Sequence, residues 1–314
     1  MNKGDGTWRS CPFFKGGAMA KSVNKRYAAI GMLFLLPAIV IYIIFAVIPF
    51  VDNLVLSFNK WNGFSARQFI GIANYVKAFK DTIFVQAVKN SVFLGVVSSF
   101  FSVIIGVLFA WLMLFVSRRL GGVYRTILFS PSMIPAVITA LIFSFVFEPE
   151  FGILNGLLRF VGLEGMTRAW LTDQSTVMGC LVFVSAWKQV GLTMVLCFAG
   201  MQSIPYSLFE AAKLEGAGDW YIFRKIIAPL TSSFIQLSAI FALMSGLKIY
   251  DTVFALTNGG PGNYTMVMPI WIMKNTFSFN DYGYGAAMSV IFVLVVLLGM
   301  IVVKKIIKGE TYEF

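Results

Sequence analysis

Six stretches of the chain, residues 28–50, 91–116, 126–147, 177–201, 230–256 and 283–303, are nearly free of charge, and each is long enough to cross a bilayer. In hydrocarbon every backbone N–H and C=O must find its partner within the protein, and runs of this length meet that demand as helices. The pattern predicts an all-α polytopic membrane protein with six transmembrane helices. Composition agrees, since 58% hydrophobic and 12% charged residues, with a mean hydropathy of +0.81, leave too little charge to cover a soluble surface. A signal peptide would carry a shorter apolar core and a small-residue cleavage site, which residues 42–50 lack. The first run therefore reads as a retained helix, kinked near Pro37.

Charge sets the expected orientation. The net charge of +11 would suggest nucleic acid in a soluble protein, but here Lys and Arg flank apolar runs, so no nucleic acid is implied. Segments on the side of the termini hold 15 basic residues and those on the other side 8, which places both termini in the cytoplasm. Residues 1–27, with Lys3, Arg9, Lys15, Lys21, Lys25 and Arg26 against Asp5 alone, read as a disordered basic tail in which Met19 is an alternative start. Residues 304–314, with Lys304, Lys305 and Lys308, form a second tail, and the six-helix domain is 28–303.

Several chemistries are excluded outright. With no histidine there is no Ser/His/Asp triad, Cys/His pair or HExxH zinc site, and Cys11, Cys180 and Cys197 make no paired framework. No Gly-Lys dipeptide exists, hence no phosphate loop of the Walker type. The chain is expected to be no enzyme, to bind no metal and to bind no cofactor of its own.

Residues 210–229 are the longest polar-containing segment of the second half. Ser207 and Glu210 fit a capping box, Gly216 and Gly218 suit the positive φ that ends a helix, and Asp219 suits the cap of a second helix closed by Pro229. This predicts a helix-turn-helix with Leu208, Ala211, Ala212 and Glu215 on one face, where the small alanines admit close approach by another protein. Other readings of such a segment are a plain surface hairpin and a DNA-binding helix-turn-helix. The order Glu210-Ala211-Ala212, then Gly216, Ile226 and Pro229, resembles the signature loop of binding-protein-dependent ABC importer permeases; the family's usual Leu before the proline is Ala228 here. Residues 256–261, Leu-Thr-Asn-Gly-Gly-Pro, resemble the sugar-permease branch, and residues 69–75, Gly152 with Asn155, 170–173 and 281–287 are similar to other family segments.

The resemblance implies the type I ABC importer permease fold, with residues 202–229 as a cytoplasmic coupling loop, in a bacterial cytoplasmic membrane. It implies a heterodimer with a second homologous permease, two cytoplasmic ATPase subunits that hold ATP and Mg, and an extracellular solute-binding protein that delivers a sugar. Glu210, Ala211, Ala212, Gly216, Ile226 and Pro229 would meet the ATPase. Matching the family's solute-contact positions onto this sequence gives Gln189, Leu192, Ala242, Gly246 and Ile249, to which Lys188 in mid-span is added as a pathway candidate. Lys188 and Gln189 are read equally well as pathway wall or as inter-helix packing. Lys248 and Asp251, three residues apart, are expected to pair as a structural staple. Rival functions are import of a polyol or glycerol phosphate by the same machinery, and an ion-coupled secondary transporter. The second would call for several acids inside spans, where Asp251 alone qualifies.

Overall fold

The computed structural model describes residues 17–309; Lys3, Asp5, Arg9, Cys11 and Lys15 of the expected basic tail, and residues 310–314, lie outside the described residues. The chain divides into two compact units at Val55 and Leu56. The first holds α1 (Gly17–Tyr42) and most of α2 (Ile48–Leu56), joined by one π turn, Ile43–Val47. The helix starts at Gly17, so the part of the tail expected to be disordered is helical from that residue on. It passes Pro37 unbroken, and the irregularity falls instead at the π turn before Pro49. That proline's ring would strike the carbonyl four residues back, and the wider turn, with Ile48 N–H bonded to the Ile43 carbonyl, relieves the clash.

The second unit opens with a two-stranded antiparallel hairpin, β1 (Asn59–Lys60) and β2 (Gln68–Phe69), then α3 (Ala73–Lys80) and the long α4 (Thr82–Leu112). After these come α5 (Arg118–Met133), α6 (Ala136–Val146), α7 (Ile153–Phe160) and α8 (Val177–Gln202). The chain continues through α9 (Tyr206–Leu214), α10 (Asp219–Ile222), α11 (Ala228–Leu230), α12 (Ser232–Leu247), α13 (Asp251–Leu256), α14 (Met268–Met273) and α15 (Tyr282–Ile306).

Among the described residues four helices are long and apolar enough to cross a membrane: Ile30–Leu56, Thr82–Phe115, Val177–Gln202 and Tyr282–Ile306. Two further pairs qualify only as bent units, α5 with α6 at 96° and residues 219–230 with α12 at 72°. The expected third span is thus broken: Pro135 has no N–H to offer, and Ile134 is extended. The expected fifth span is likewise interrupted, at Lys248–Tyr250 between α12 and α13.

α8 is the central helix and packs along α4, α5 and α12. Close approach is possible because the contact points are glycines, as suits helices in lipid, where no hydrophobic drive pulls them together. A Cβ on Gly106 of α4 would lie 2.6 Å from the Thr193 methyl of α8, and one on Gly95 would lie 2.9 Å from Leu247 of α12. Ser102 and Thr193 share a buried hydrogen bond of 3.3 Å across the same seam.

At the other end, Asp81 caps α4 and explains why that helix begins well before the expected residue 91. Its Oδ1 accepts from the Ile83 and Phe84 backbone N–H groups, at 2.9 and 3.1 Å. Its Oδ2 accepts from Trp271 Nε1 at 2.9 Å and from the Tyr284 hydroxyl at 2.7 Å, tying α4 to α14 and α15. Burial raises the Asp81 pKa, but the bonds from Tyr284, Trp271, Phe84 and Ile83 outweigh it and hold the carboxyl below its usual value of 3.8. A depressed folded pKa means that this stabilisation is present above 3.8 and is lost as pH falls through the folded value. Asp81→Asn puts an amide where two donors point, and it should cost about 1–3 kcal/mol near neutral pH. Thermal melting in detergent checks this, with the gap between native and variant closing as the pH is taken below the folded pKa.

Candidate functional site

The polar segment after α8 folds into a compact loop. α9 ends in a Schellman turn: Gly216 has φ +80°, its N–H bonds the Lys213 carbonyl at 3.0 Å, and the Ala217 N–H bonds the Ala212 carbonyl at 3.0 Å. The helix-turn-helix expected around Gly216 is therefore present, with different caps. Ser207 and Glu210 form no capping box, because α9 starts after Pro205 and leaves Ser207 inside the helix; its N-cap makes no side-chain bond. Asp219 is the first residue of α10 rather than its cap, and Gly218, at φ −73°, is that cap. Pro229 does not end the second helix. A π turn, Phe223–Ile227, absorbs it just as one absorbs Pro49, and the break comes at Thr231.

Of the residues expected to meet the ATPase, Glu210, Ala211, Gly216 and Pro229 are exposed, whereas Ala212 and Ile226 pack against the apolar cluster beneath the loop. That cluster joins Ile222 and Ile227 to Ala110 and Met113 of the α4 end and to Met194, Cys197, Phe198 and Met201 of α8. Aromatic rings extend the joint. Trp111 of α4 meets Phe223 at 4.9 Å and Trp220 at 5.8 Å between centroids, and Trp220 stacks on Phe223 at 5.4 Å. The sequence reading missed these three residues, whose pairing across more than a hundred positions carries no local signal. Leu214, at the tip, is 88% exposed and Trp220 63%, so the loop presents apolar as well as charged groups outward. A shallow cavity of about 270 Å³ between the loop and α4 is lined by Trp111, Tyr206, Glu210, Lys213 and Asp219.

A second concave site lies where both broken helices face α8. It has a volume of about 300 Å³ and is lined by Ser132, Ala136, Ser185, Lys188, Gln189, Leu192, Ser245, Lys248, Ile249, Tyr250, Asp251 and Thr252. This brings Lys188, Gln189, Leu192 and Ile249 together. The structure places Ala242 and Gly246 elsewhere: both are buried, and a Cβ on Gly246 would sit 2.7 Å from Gly95 Cα and 2.9 Å from Ser98 Oγ of α4. The smallness of Gly246 serves helix packing.

Lys188 does two jobs at once. Its Nζ donates at 2.9 Å to the carbonyl of Ile134, which the break between α5 and α6 leaves outside both helices, and the residue also lines the cavity. Asp251 is the carboxylate that lines the same cavity. The staple expected between Lys248 and Asp251 is not formed among the described residues, because α12 ends at Leu247 and α13 begins at Asp251, so helical spacing does not hold between them. Gln189 donates to Ser185 Oγ over a long 3.5 Å, and its buried Oε1 has no partner. Ser132, Ser245 and Tyr250 were not foreseen, since they come together only through the two breaks. Among the described residues no group of His, Cys, Asp and Glu could hold a metal.

The other segments similar to the family are also built around polar anchors. Asn155 is buried; its Nδ2 donates to the Pro149 and Arg168 carbonyls, both at 2.9 Å, and its Oδ1 accepts from Trp170 Nε1 at 2.7 Å. Asn74 Nδ2 likewise holds the Ser57 and Asn59 carbonyls, at 2.9 and 3.0 Å.

Helices long and apolar enough to cross a bilayer, an exposed helical loop on their packed core and a polar cavity between broken spans fit a membrane permease. A model of the family described as "Binding-protein-dependent transport system inner membrane component" matches residues 102–310, and the chain belongs to that family. A probable ABC transporter permease protein of Bacillus subtilis (strain 168) is 36% identical, over 84% of this chain and 91% of its own. The lactose transport system permease protein of Rhizobium radiobacter is 30% identical, over 88% of this chain and 93% of its own. The fold matches that of a bacterial alginate ABC transporter chain, solved in complex with its alginate pentasaccharide-bound periplasmic protein, with a TM-score of 0.78 at 22% identity, over 93% and 99% of the two chains.

Packing and lining residues should separate by substitution. Gly246→Val forces α12 off α4 and should cost about 1–3 kcal/mol, seen as a lower melting temperature in detergent. Leu192→Ala, on the partly open cavity wall, should melt close to native.

Proposed function

We propose that this chain is the membrane-spanning permease subunit of an ATP-driven importer that takes up an oligosaccharide delivered by an external binding protein. The observation that carries the proposal is the exposed coupling loop, with Glu210, Ala211 and Gly216 outward, mounted on the same helices that wall the polar cavity. Family membership supports dependence on a binding protein, and the relative named for lactose supports a sugar. The cavity wall agrees, being mostly hydroxyl, amide and small apolar groups.

In this proposal two cytoplasmic ATPase subunits bind ATP and Mg, since the chain has no phosphate loop, and a second, homologous permease completes the heterodimer. Both termini lie in the cytoplasm with residues 202–229, as the 15-to-8 distribution of basic residues supports. Closure of the ATPases drives the loop, and the helices rock to open the cavity alternately to each side. Glu210 makes a charged contact with the ATPase, Ala211 and Gly216 admit close docking, Ala212, Ile226 and Pro229 shape the loop, and Lys188, Gln189, Leu192 and Ile249 line the pathway. Asp251 is the one carboxylate on the cavity wall among the described residues, which gives ion-gradient coupling little to work with.

The test is solute-stimulated ATP hydrolysis in liposomes holding this chain, its partner permease, the ATPase and the binding protein. Glu210→Ala combined with Gly216→Trp should leave the complex assembled and abolish stimulation, because a side chain at φ +80° is strained by about 1–2 kcal/mol and the docking surface is blocked. Unchanged stimulation would overturn the assignment of the loop.

A further inference from the structure

We infer that the cavity selects a saccharide carrying an acidic group, a carboxylate or sulfonate, with Lys248 as its counter-charge. This rests on the oligosaccharide-import proposal and narrows its substrate class. The charges on the wall do not balance: two ammonium groups, Lys188 and Lys248, face one carboxylate, Asp251. Lys188 is occupied, with its Nζ on the Ile134 carbonyl. Lys248 is exposed to the cavity and has no hydrogen bond or ion pair among the described residues. It caps the C-terminus of α12, whose dipole offsets only about half a unit charge. Lys248 is therefore the ammonium on this wall that stands open to a bound anion.

The second requirement comes from Gln189. Its Oε1 is buried without a partner, so it needs a hydrogen-bond donor, and sugar hydroxyls supply donors. A bare inorganic anion would answer Lys248 but offer nothing to Gln189; a neutral sugar would answer Gln189 and leave Lys248 unpaired. An acidic sugar answers both. Tyr250, two residues after Lys248 and stacked on Phe254 at 5.4 Å and 15°, adds an aromatic wall of the kind that sugar rings pack against. A cavity of about 300 Å³ is at the small end of ligand sites, so it holds one acidic unit of the chain rather than the whole oligosaccharide.

The experiment uses the full complex with its own binding protein in liposomes, reading both uptake and stimulated ATP hydrolysis. Three probes are compared: a pool of short oligouronides, the same pool with its carboxylates reduced to alcohols, and a pool of neutral hexose oligosaccharides. The oligouronides should act at least about tenfold more efficiently than their reduced counterparts. Lys248→Gln should shrink that ratio to about twofold or less, with Lys248→Arg retaining it and both variants melting like the native chain. If the reduced or neutral pool acts as well as the acidic one, the counter-charge inference is wrong and oligosaccharide import stands. If Lys248→Gln weakens all pools equally, Lys248 is structural, and the inference is again wrong. If no pool acts, oligosaccharide import fails and the inference fails with it.

Discussion

The close approach of α4 to α8 and α12 holds the second unit together. In lipid, two helices gain little from burying apolar side chains against each other, so they need surfaces that let dispersion contacts and backbone proximity accumulate. Gly95, Gly106 and Gly246 provide them, with Ser102 and Thr193 bonded across the seam. Everything proposed for function is mounted on this seam: the Trp111, Trp220 and Phe223 rings tie the loop to the α4 end, and α8 carries both the lower apolar cluster and the cavity wall. A push on the loop is therefore a push on α4 and α8.

The second constraint is that broken helices release backbone groups that hydrocarbon cannot satisfy. The α5–α6 break leaves the Ile134 carbonyl, and Lys188 supplies the donor; the α12–α13 break faces the same cavity. The site is polar because the spans are interrupted, and the interruptions need polar side chains. The π turns before Pro49 and Pro229 show the other solution, in which a proline is absorbed without exposing a site.

Much of this was legible in the sequence where one residue type has one physical use. Gly216 ends α9 at positive φ as its position predicts, and the apolar runs are membrane helices because nothing else tolerates so little charge. The α4 start was hidden because Gln86, Lys89 and Asn90 break the apolar run, while Asp81, the cap that begins the helix, gathers partners from α14 and α15. Lys248 and Asp251 were read on helical spacing that the chain does not keep. Ala242 and Gly246 were placed on the pathway by resemblance, although a small residue suits a packing seam equally; both are buried, and Gly246 lies against Gly95. Trp111 and Trp220 were invisible for want of any local pattern.

The central claim is that the loop moves as one body with α4 while the cavity opens or closes. Spin-label distances in the reconstituted complex test it directly, using one label pair at Leu214 and Phe115 and another at Ser132 and Ser245. Binding of ATP should leave the first distance unchanged and shift the second. A first distance that changes while the second stays fixed would show a loop hinged on its own, and would contradict the account.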